Sequence, residues 1–285
     1  MNARDTVLIG VSELMRQLDD GEQPAILDVR WRLDQPDGRA DYLAGHLPGA
    51  VYVSLDDELS DHSRTGRGRH PLPSGGNLQT AARRWGVKVL QPVIVYDDWN
   101  RAGSARAWWV LTAAGISDVR ILDGGLSAWK NAGGALQRGA STSPPGDVSV
   151  IHDDLYAGDR ATLTAEQVSV PTVSILLDAR APERFRGEVE PVDPVAGHIP
   201  GARNLPSTTV LAADGTFLAE AGLIALFEQT DGDVSVPVGV YCGSGITASV
   251  VVAALSATGT DAALFPGSWS QWSSEPDRPV ALGCG

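Results

Sequence analysis

Short runs of branched apolar residues alternate along this chain with longer stretches of helical character. In the first half the apolar runs are AILDVR (25–30), PVIVY (92–96) and ILD (121–123); in the second they are ILLDAR (175–180), PVGVY (237–241) and LFPG (264–267). Continuous apolar runs of this length predict strands buried on both faces. The stretches Ala105–Ala114 and Ala248–Ala257, each just after a PV-x-VY run, predict helices. Strands alternating with helices predict α/β architecture, a mostly parallel sheet with helices on both faces.

The same ordered set of pieces occurs twice. AILDVR, AGHLPGAVYV, PVIVYDDWNRAGSARAWWVL and ILDGGLSAW are followed by ILLDAR, AGHIPGARNL, PVGVYCGSGITASVVVAAL and LFPGSWSQW. Asp28 and Asp178 are 150 residues apart, His46 and His198 are 152 apart, and Tyr96 and Tyr241 are 145 apart. A period this long is a duplicated domain rather than a solenoid. GASTSPPGDVSV, rich in Gly, Ser and Pro, reads as the link between the copies. The expected organisation is a first domain over 1–138, a linker over 139–159 and a second domain over 160–285.

Composition narrows the function. At 285 residues and 43% apolar content, each half is long enough to bury a core. A net charge of −13 argues against a nucleic-acid or acidic-membrane partner. The N-terminus lacks a secretory pattern and no apolar run reaches membrane-spanning length, so the expectation is a cytoplasmic chain. Two cysteines make no disulfide framework, and no tight His/Asp cluster joins them to suggest a metal site.

One of those cysteines, Cys242, ends the central PVGVY run and opens the loop CGSGIT. The carboxyl edge of a parallel sheet is where α/β proteins place ligands. Gly243 and Gly245 allow the backbone to curl, turning N–H groups inward beside the N-terminus of the next helix. Such a cradle favours an anion, and a thiolate, a persulfide or an oxyanion all qualify. Ser244 and Thr247 add hydroxyl donors. At the matching place in the first half stands Asp97, so that copy keeps the scaffold and lacks the thiol.

These motifs, over nearly the whole chain, resemble the rhodanese-type sulfurtransferases in their tandem two-domain form. The resemblance implies two rhodanese-like domains, the first catalytically degenerate with Asp97 at the cysteine position. It implies sulfur transfer through a Cys242 persulfide, from a small anionic donor to cyanide or a thiol, a thioredoxin-like protein among the candidate acceptors, with no metal or organic cofactor. The loop Gly243, Gly245, Ile246, Thr247 and Ala248 would hold the donor, and Arg184 in ARAPERFRG would face its anionic end. CGSGIT is similar to the loop of the 3-mercaptopyruvate enzymes and carries no cation. Those enzymes commonly add an arginine nine residues after the first, where this chain has Asp193. Thiosulfate and 3-mercaptopyruvate both remain open as donors. The resemblance also implies a Ser244–His70–Asp57 hydrogen-bonded set reaching across the two domains.

Other motifs read as structural. His46 and His198 recur in both halves, including the half without the thiol, so they predict turn stabilisation. Asp28–Arg30 and Asp178–Arg180 predict braces at strand ends. Trp129, Trp269 and Trp272 predict core packing, and Cys284, next to last, a bystander. A phosphatase on this scaffold needs an arginine where Ala248 stands. A persulfide carrier that docks a partner without turnover would share the Cys242 loop and is the alternative function.

Overall fold

A computed structural model of the chain describes residues 2–170, 175–230 and 236–284. They form two compact units. The first comprises Met1–Asp61, Leu72–Arg160 and Leu211–Phe217; the second comprises His62–Pro71, Ala161–Val210 and Leu218–Gly285. Two short segments therefore fold away from their place in chain order. The one at 62–71 brings Arg69 and His70 into the second unit.

The first unit is built on strands β1 (Leu8–Ile9), β2 (Ala25–Asp28), β3 (Val51–Tyr52), β4 (Val93–Tyr96) and β5 (Val119–Leu122), all parallel, in the order β1-β5-β4-β2-β3. The second has β6 (Ile175–Asp178), β7 (Arg203–Asn204), β8 (Val238–Tyr241) and β9 (Ala262–Leu264), parallel in the order β7-β6-β8-β9. Every residue of β2, β4, β5, β6 and β8 is buried, as continuous apolar runs require. The helices after the central strands span Ala102–Ala113 and Thr247–Ala257, starting slightly earlier than expected. LFPG is mostly turn: its strand ends at Leu264, and Phe265–Gly267 lead into the helix Ser268–Trp272.

The repeated D-x-R and G-H-[IL]-P-G-A pieces lock together identically in each unit. Arg30 grips the Asp28 carboxylate with Nε and Nη2 and donates to the Gly45 carbonyl. Arg180 does the same with Asp178 and the Gly197 carbonyl. The hydroxyls of Tyr96 and Tyr241 accept the backbone N–H groups of Leu47 and Ile199 and hydrogen-bond to the same aspartates. Burial, reinforced by the adjacent carboxylate, pushes both tyrosine hydroxyls well above their ordinary pKa, so they stay protonated donors. Each motif histidine stabilises its turn: His46 Nδ1 bonds the Tyr42 carbonyl at 2.9 Å and His198 Nδ1 the Phe185 carbonyl at 2.8 Å. Each ring stacks on that same neighbour. Trp129, Trp269 and Trp272 are buried, their indole N–H groups donating to backbone carbonyls.

The stretch read as a linker has no regular element over 140–150, a single turn of 3-10 helix at Leu155–Ala157, and backbone hydrogen bonds to the first unit, with which it is grouped. Ser141 N–H donates to the Tyr42 hydroxyl, Gly146 N–H to the Arg83 carbonyl and Ile151 N–H to the Ala114 carbonyl. Its Gly/Ser/Pro composition suits close backbone approach: a Cβ on Gly146 would lie 1.8 Å from the Val87 carbonyl oxygen. No described helix is long and apolar enough to cross a membrane. Among the described residues no three His, Cys, Asp or Glu side chains gather as a metal site would require.

Candidate active site

In the second unit β8 delivers Cys242 to the carboxyl edge of the sheet, buried at 1% exposure. The backbone turns at once. Gly245 takes a left-handed φ of 78° that a side chain would strain, and a Cβ there would lie 2.6 Å from the Pro266 carbonyl oxygen. This turn aims the Gly245 N–H at the sulfur, with N to Sγ at 3.2 Å. The helix Thr247–Ala257 starts directly after it. The other side of the loop is fixed by the helix Ser268–Trp272: Trp269 N–H donates to the Cys242 carbonyl and Ser270 N–H to the Gly243 carbonyl. Ser268 Oγ accepts the Cys242 N–H. Ile246 and Ala248 are buried and Thr247 is half-buried at the first position of the helix.

Gly243 plays a different part from the one expected. It has no left-handed φ. Its missing side chain leaves room for two guanidiniums: an added Cβ would lie 3.3 Å from Arg69 Nη2 and 3.6 Å from Arg184 Nη1. Arg184, on the short helix Pro182–Phe185, is no solvated surface charge. Its Nη2 bonds Glu190 Oε1 at 2.6 Å and Asp193 Oδ2 at 3.2 Å. Glu190 also accepts from Arg180 Nη1 and from the N–H groups of Val192 and Asp193. Burial alone would raise the Glu190 pKa, but Arg184 and these N–H donors outweigh it and hold the carboxyl below its usual range. Arg69 Nη1 bonds Asp193 Oδ1 at 2.5 Å.

Of the predicted hydrogen-bonded set, His70 and Ser244 both belong to the second unit, with His70 Nδ1 2.8 Å from Ser244 Oγ. Asp57 belongs to the first unit, in the helix Leu55–Glu58, where Oδ2 accepts the Ser54 hydroxyl. It lines a cavity of about 810 Å³ there together with Tyr42, Tyr52 and Trp85. Cys284 is exposed near the C-terminus. The residue that sequence reasoning passed over is Arg69. Its signal was its place directly before His70 in RHPLPS; nothing in the spacing foretold an ion pair with Asp193, 124 residues on.

The first unit shows the same cradle used without a thiol. Asp97 is 2% exposed. One of its carboxylate oxygens accepts Ser104 N–H and Oγ–H; the other accepts the N–H groups of Trp99 and Arg101. Arg101 Nη2 closes an ion pair with it at 2.9 Å. The carboxylate thus fills the anion position that the second unit leaves to the Cys242 sulfur.

Comparison with known proteins accords with this geometry. A family model described as "Rhodanese-like domain" matches residues 10–132 and 161–275. The chain is 64% identical over 283 residues to the Mycobacterium tuberculosis protein named "Putative thiosulfate sulfurtransferase SseB", covering 99% of each chain. It is 34% identical over 284 residues to the 3-mercaptopyruvate sulfurtransferase of Escherichia coli, covering 96% of this chain and 98% of that one. The crystal structure of Escherichia coli SseA, titled for the rhodanese fold and the mechanism of 3-mercaptopyruvate sulfotransferases, superposes with a TM-score of 0.80. That match has 33% identity and covers 93% of this chain and 99% of that one.

Proposed function

The chain belongs to the rhodanese-like family, and from that premise we propose that this sulfurtransferase moves sulfur from a small anionic donor to a thiophilic acceptor through a persulfide on Cys242. The observation that carries the reading is the pairing of the Gly245 N–H on Cys242 Sγ with two guanidiniums against the adjoining Gly243. One group receives sulfur and the others receive the donor's negative end.

With thiosulfate, the Cys242 thiolate attacks the outer sulfur, the S–S bond breaks, and sulfite leaves with the electron pair. With 3-mercaptopyruvate, the thiolate attacks the thiol sulfur, the C–S bond breaks, and the pyruvate enolate leaves. The proton from that thiol ends on the enolate carbon, giving pyruvate. Cyanide or a thiol then attacks the outer persulfide sulfur and restores the Cys242 thiolate. The persulfide anion takes the Gly245 N–H as the thiolate does. Ser244, hydrogen-bonded to His70, supplies the proton path that only the enolate needs. Asp57 is carried as the third member of that set on the family resemblance. No cofactor enters the scheme.

Relatives carry the names of both donors. Arg184, its Nε and Nη2 held by Glu190 and Asp193, turns Nη1 toward Gly243, where it can meet the donor's anionic end. The test is sulfur transfer to cyanide with each donor in turn. Cys242→Ser abolishes it with the fold intact, and Cys284→Ser leaves it unchanged. Equal behaviour of the two variants overturns the assignment. A wild type that accepts one sulfur per chain and never turns over would instead be a carrier.

A further inference from the structure

The two copies of the D-x-R brace differ at one nitrogen. Arg180 uses its whole guanidinium within the second unit: Nε and Nη2 bond Asp178, Nη2 also bonds the Gly197 carbonyl, and Nη1 bonds Glu190 Oε2 at 3.3 Å. The Trp269 ring covers it, with its centroid 4.8 Å from Cζ. Arg30 repeats the bonds of Nε and Nη2, to Asp28 and the Gly45 carbonyl. Its Nη1 has no hydrogen-bond partner among the described residues.

Both differences are written in the sequence. Counting back seven residues from the glycine whose carbonyl each arginine holds leads to Glu190 in the second copy and to Gly38 in the first. In the matching pieces GGLSAW and GSWSQW, Leu126 stands where the second copy has Trp269. A carboxylate and an indole fill this corner of the second unit. The same corner of the first unit is a cavity of about 560 Å³, a size suited to a small molecule, and its lining includes Arg30, Arg32, Asp41, Asp98, Leu126 and Lys130.

The polar groups of this cavity carry both signs. Arg30 is 4% exposed. Burial alone would lower its pKa, but the Asp28 carboxylate and, at longer range, Asp98 raise it, so the guanidinium stays charged. Asp98 gives Oδ2 to Arg32 Nη2 at 2.8 Å, and its Oδ1 is buried without a partner among the described residues. A buried acceptor in that state is costly until a donor meets it. Lys130 and Asp41 are exposed members of the lining. The cavity thus offers one open donor on a buried cation and one open acceptor on a buried anion.

We propose that the first unit carries a binding site of its own for a zwitterionic α-amino acid. Arg30 Nη1 and Lys130 receive the carboxylate, Asp98 Oδ1 and Asp41 receive the ammonium, and the side chain lies against Leu126. The ligand's carboxylate does for Arg30 what Glu190 does for Arg180. A simple anion would answer Arg30 and meet Asp98 and Asp41 as like charges. A simple amine would answer Asp98 and leave Arg30 as it is. A ligand with both charges on one carbon satisfies both groups together.

The experiment follows backbone amide shifts of the isotope-labelled full chain at neutral pH. The probes are L-alanine, propionate, which lacks the ammonium, and ethylamine, which lacks the carboxylate. L-Alanine is expected to give saturable shifts around Arg30, Asp98 and Leu126. Propionate and ethylamine should each bind at least about tenfold more weakly, the scale of one charge-assisted hydrogen bond. Asp98→Asn, close to the same shape, should weaken L-alanine at least about tenfold and leave propionate unweakened. Leu126→Trp, which brings the second unit's ring into the first, should abolish the L-alanine shifts, with a thermal melt to show that it folds. Where it does not fold, Asp98→Asn decides alone. No saturable L-alanine shift in the first unit overturns the proposal, as do shifts confined to the Cys242 loop. Propionate binding as tightly as L-alanine, or an Asp98→Asn variant that binds L-alanine normally, also overturns it. No turnover enters the readout, so these outcomes hold whatever Cys242 does.

Discussion

His70 Nδ1 sits 2.8 Å from Ser244 Oγ, joining a residue of the 62–71 segment to the second residue after Cys242. A hydroxyl polarised in this way is useful only to a leaving group that needs a proton. Pyruvate enolate needs one and sulfite does not. His70→Ala and Ser244→Ala should therefore lower kcat with 3-mercaptopyruvate by about 10²-fold and leave thiosulfate turnover nearly intact. Steady-state assays with the two donors check this, thiosulfate serving as the folding control. Equal losses with both donors would remove the proton-path role.

Glu190 should give the donor site an acid limit. Its carboxyl lies below the ordinary glutamate pKa of 4.5 when folded, so its ion pairs with Arg184 and Arg180 contribute fully above that pH. They are lost as pH falls through the lower folded value. Loading kcat/KM attributable to the Arg184 grip should stay level from neutral pH down to about 4.5 and fall below it. Glu190→Gln should lower loading already at neutral pH and cost stability on the order of 3 kcal/mol, because two arginines lose a nearly buried partner. Donor titrations and denaturant melts across pH decide both points.

Gly245→Ala should damage the loop from within. The left-handed φ and the 2.6 Å approach to the Pro266 carbonyl leave no room for a methyl group. A cost of about 1–3 kcal/mol is expected, with loss of the N–H aimed at Cys242 and of most sulfur loading. Gly243→Ala, without a left-handed φ, should fold normally and mainly displace Arg69 Nη2. It should then mimic Arg69→Ala in donor kinetics.

Asp97→Ala should uncouple stability from chemistry. It removes a carboxylate that is 2% exposed and holds Arg101 and the helix start at Ser104. Leaving the buried Arg101 uncompensated should cost about 3–5 kcal/mol, read in a thermal melt. Sulfur transfer measured well below that melt should keep its kcat/KM for both donors. Loss of activity in the folded variant would mean that the first unit contributes chemistry through this loop.

The buried strands, the duplication, the cysteine at a strand end and the D-x-R and histidine braces were legible from local patterning alone. Continuous apolar runs bury both faces of a strand whatever surrounds them, and a repeat with one altered position isolates the thiol from its scaffold. Composition marked the stretch after Gly139 as free of regular structure, and it could not show which backbone groups that stretch would bond, because Gly, Ser and Pro suit a chain laid on a surface as well as one crossing a gap. The role of Gly243 and the company of Arg184 were not legible. Arg69, Glu190, Asp193 and Gly243 are far apart in sequence, and each is an ordinary polar or small residue by its neighbours. Only packing the 62–71 segment into the second unit sets Arg69 against Asp193, and only then does an acid in place of an expected arginine become the group that holds two guanidiniums against Gly243. Hydrophobic periodicity is a property of adjacent residues and survives reading one letter after another. Charge complementarity depends on distance in space, and only the tertiary fold determines that.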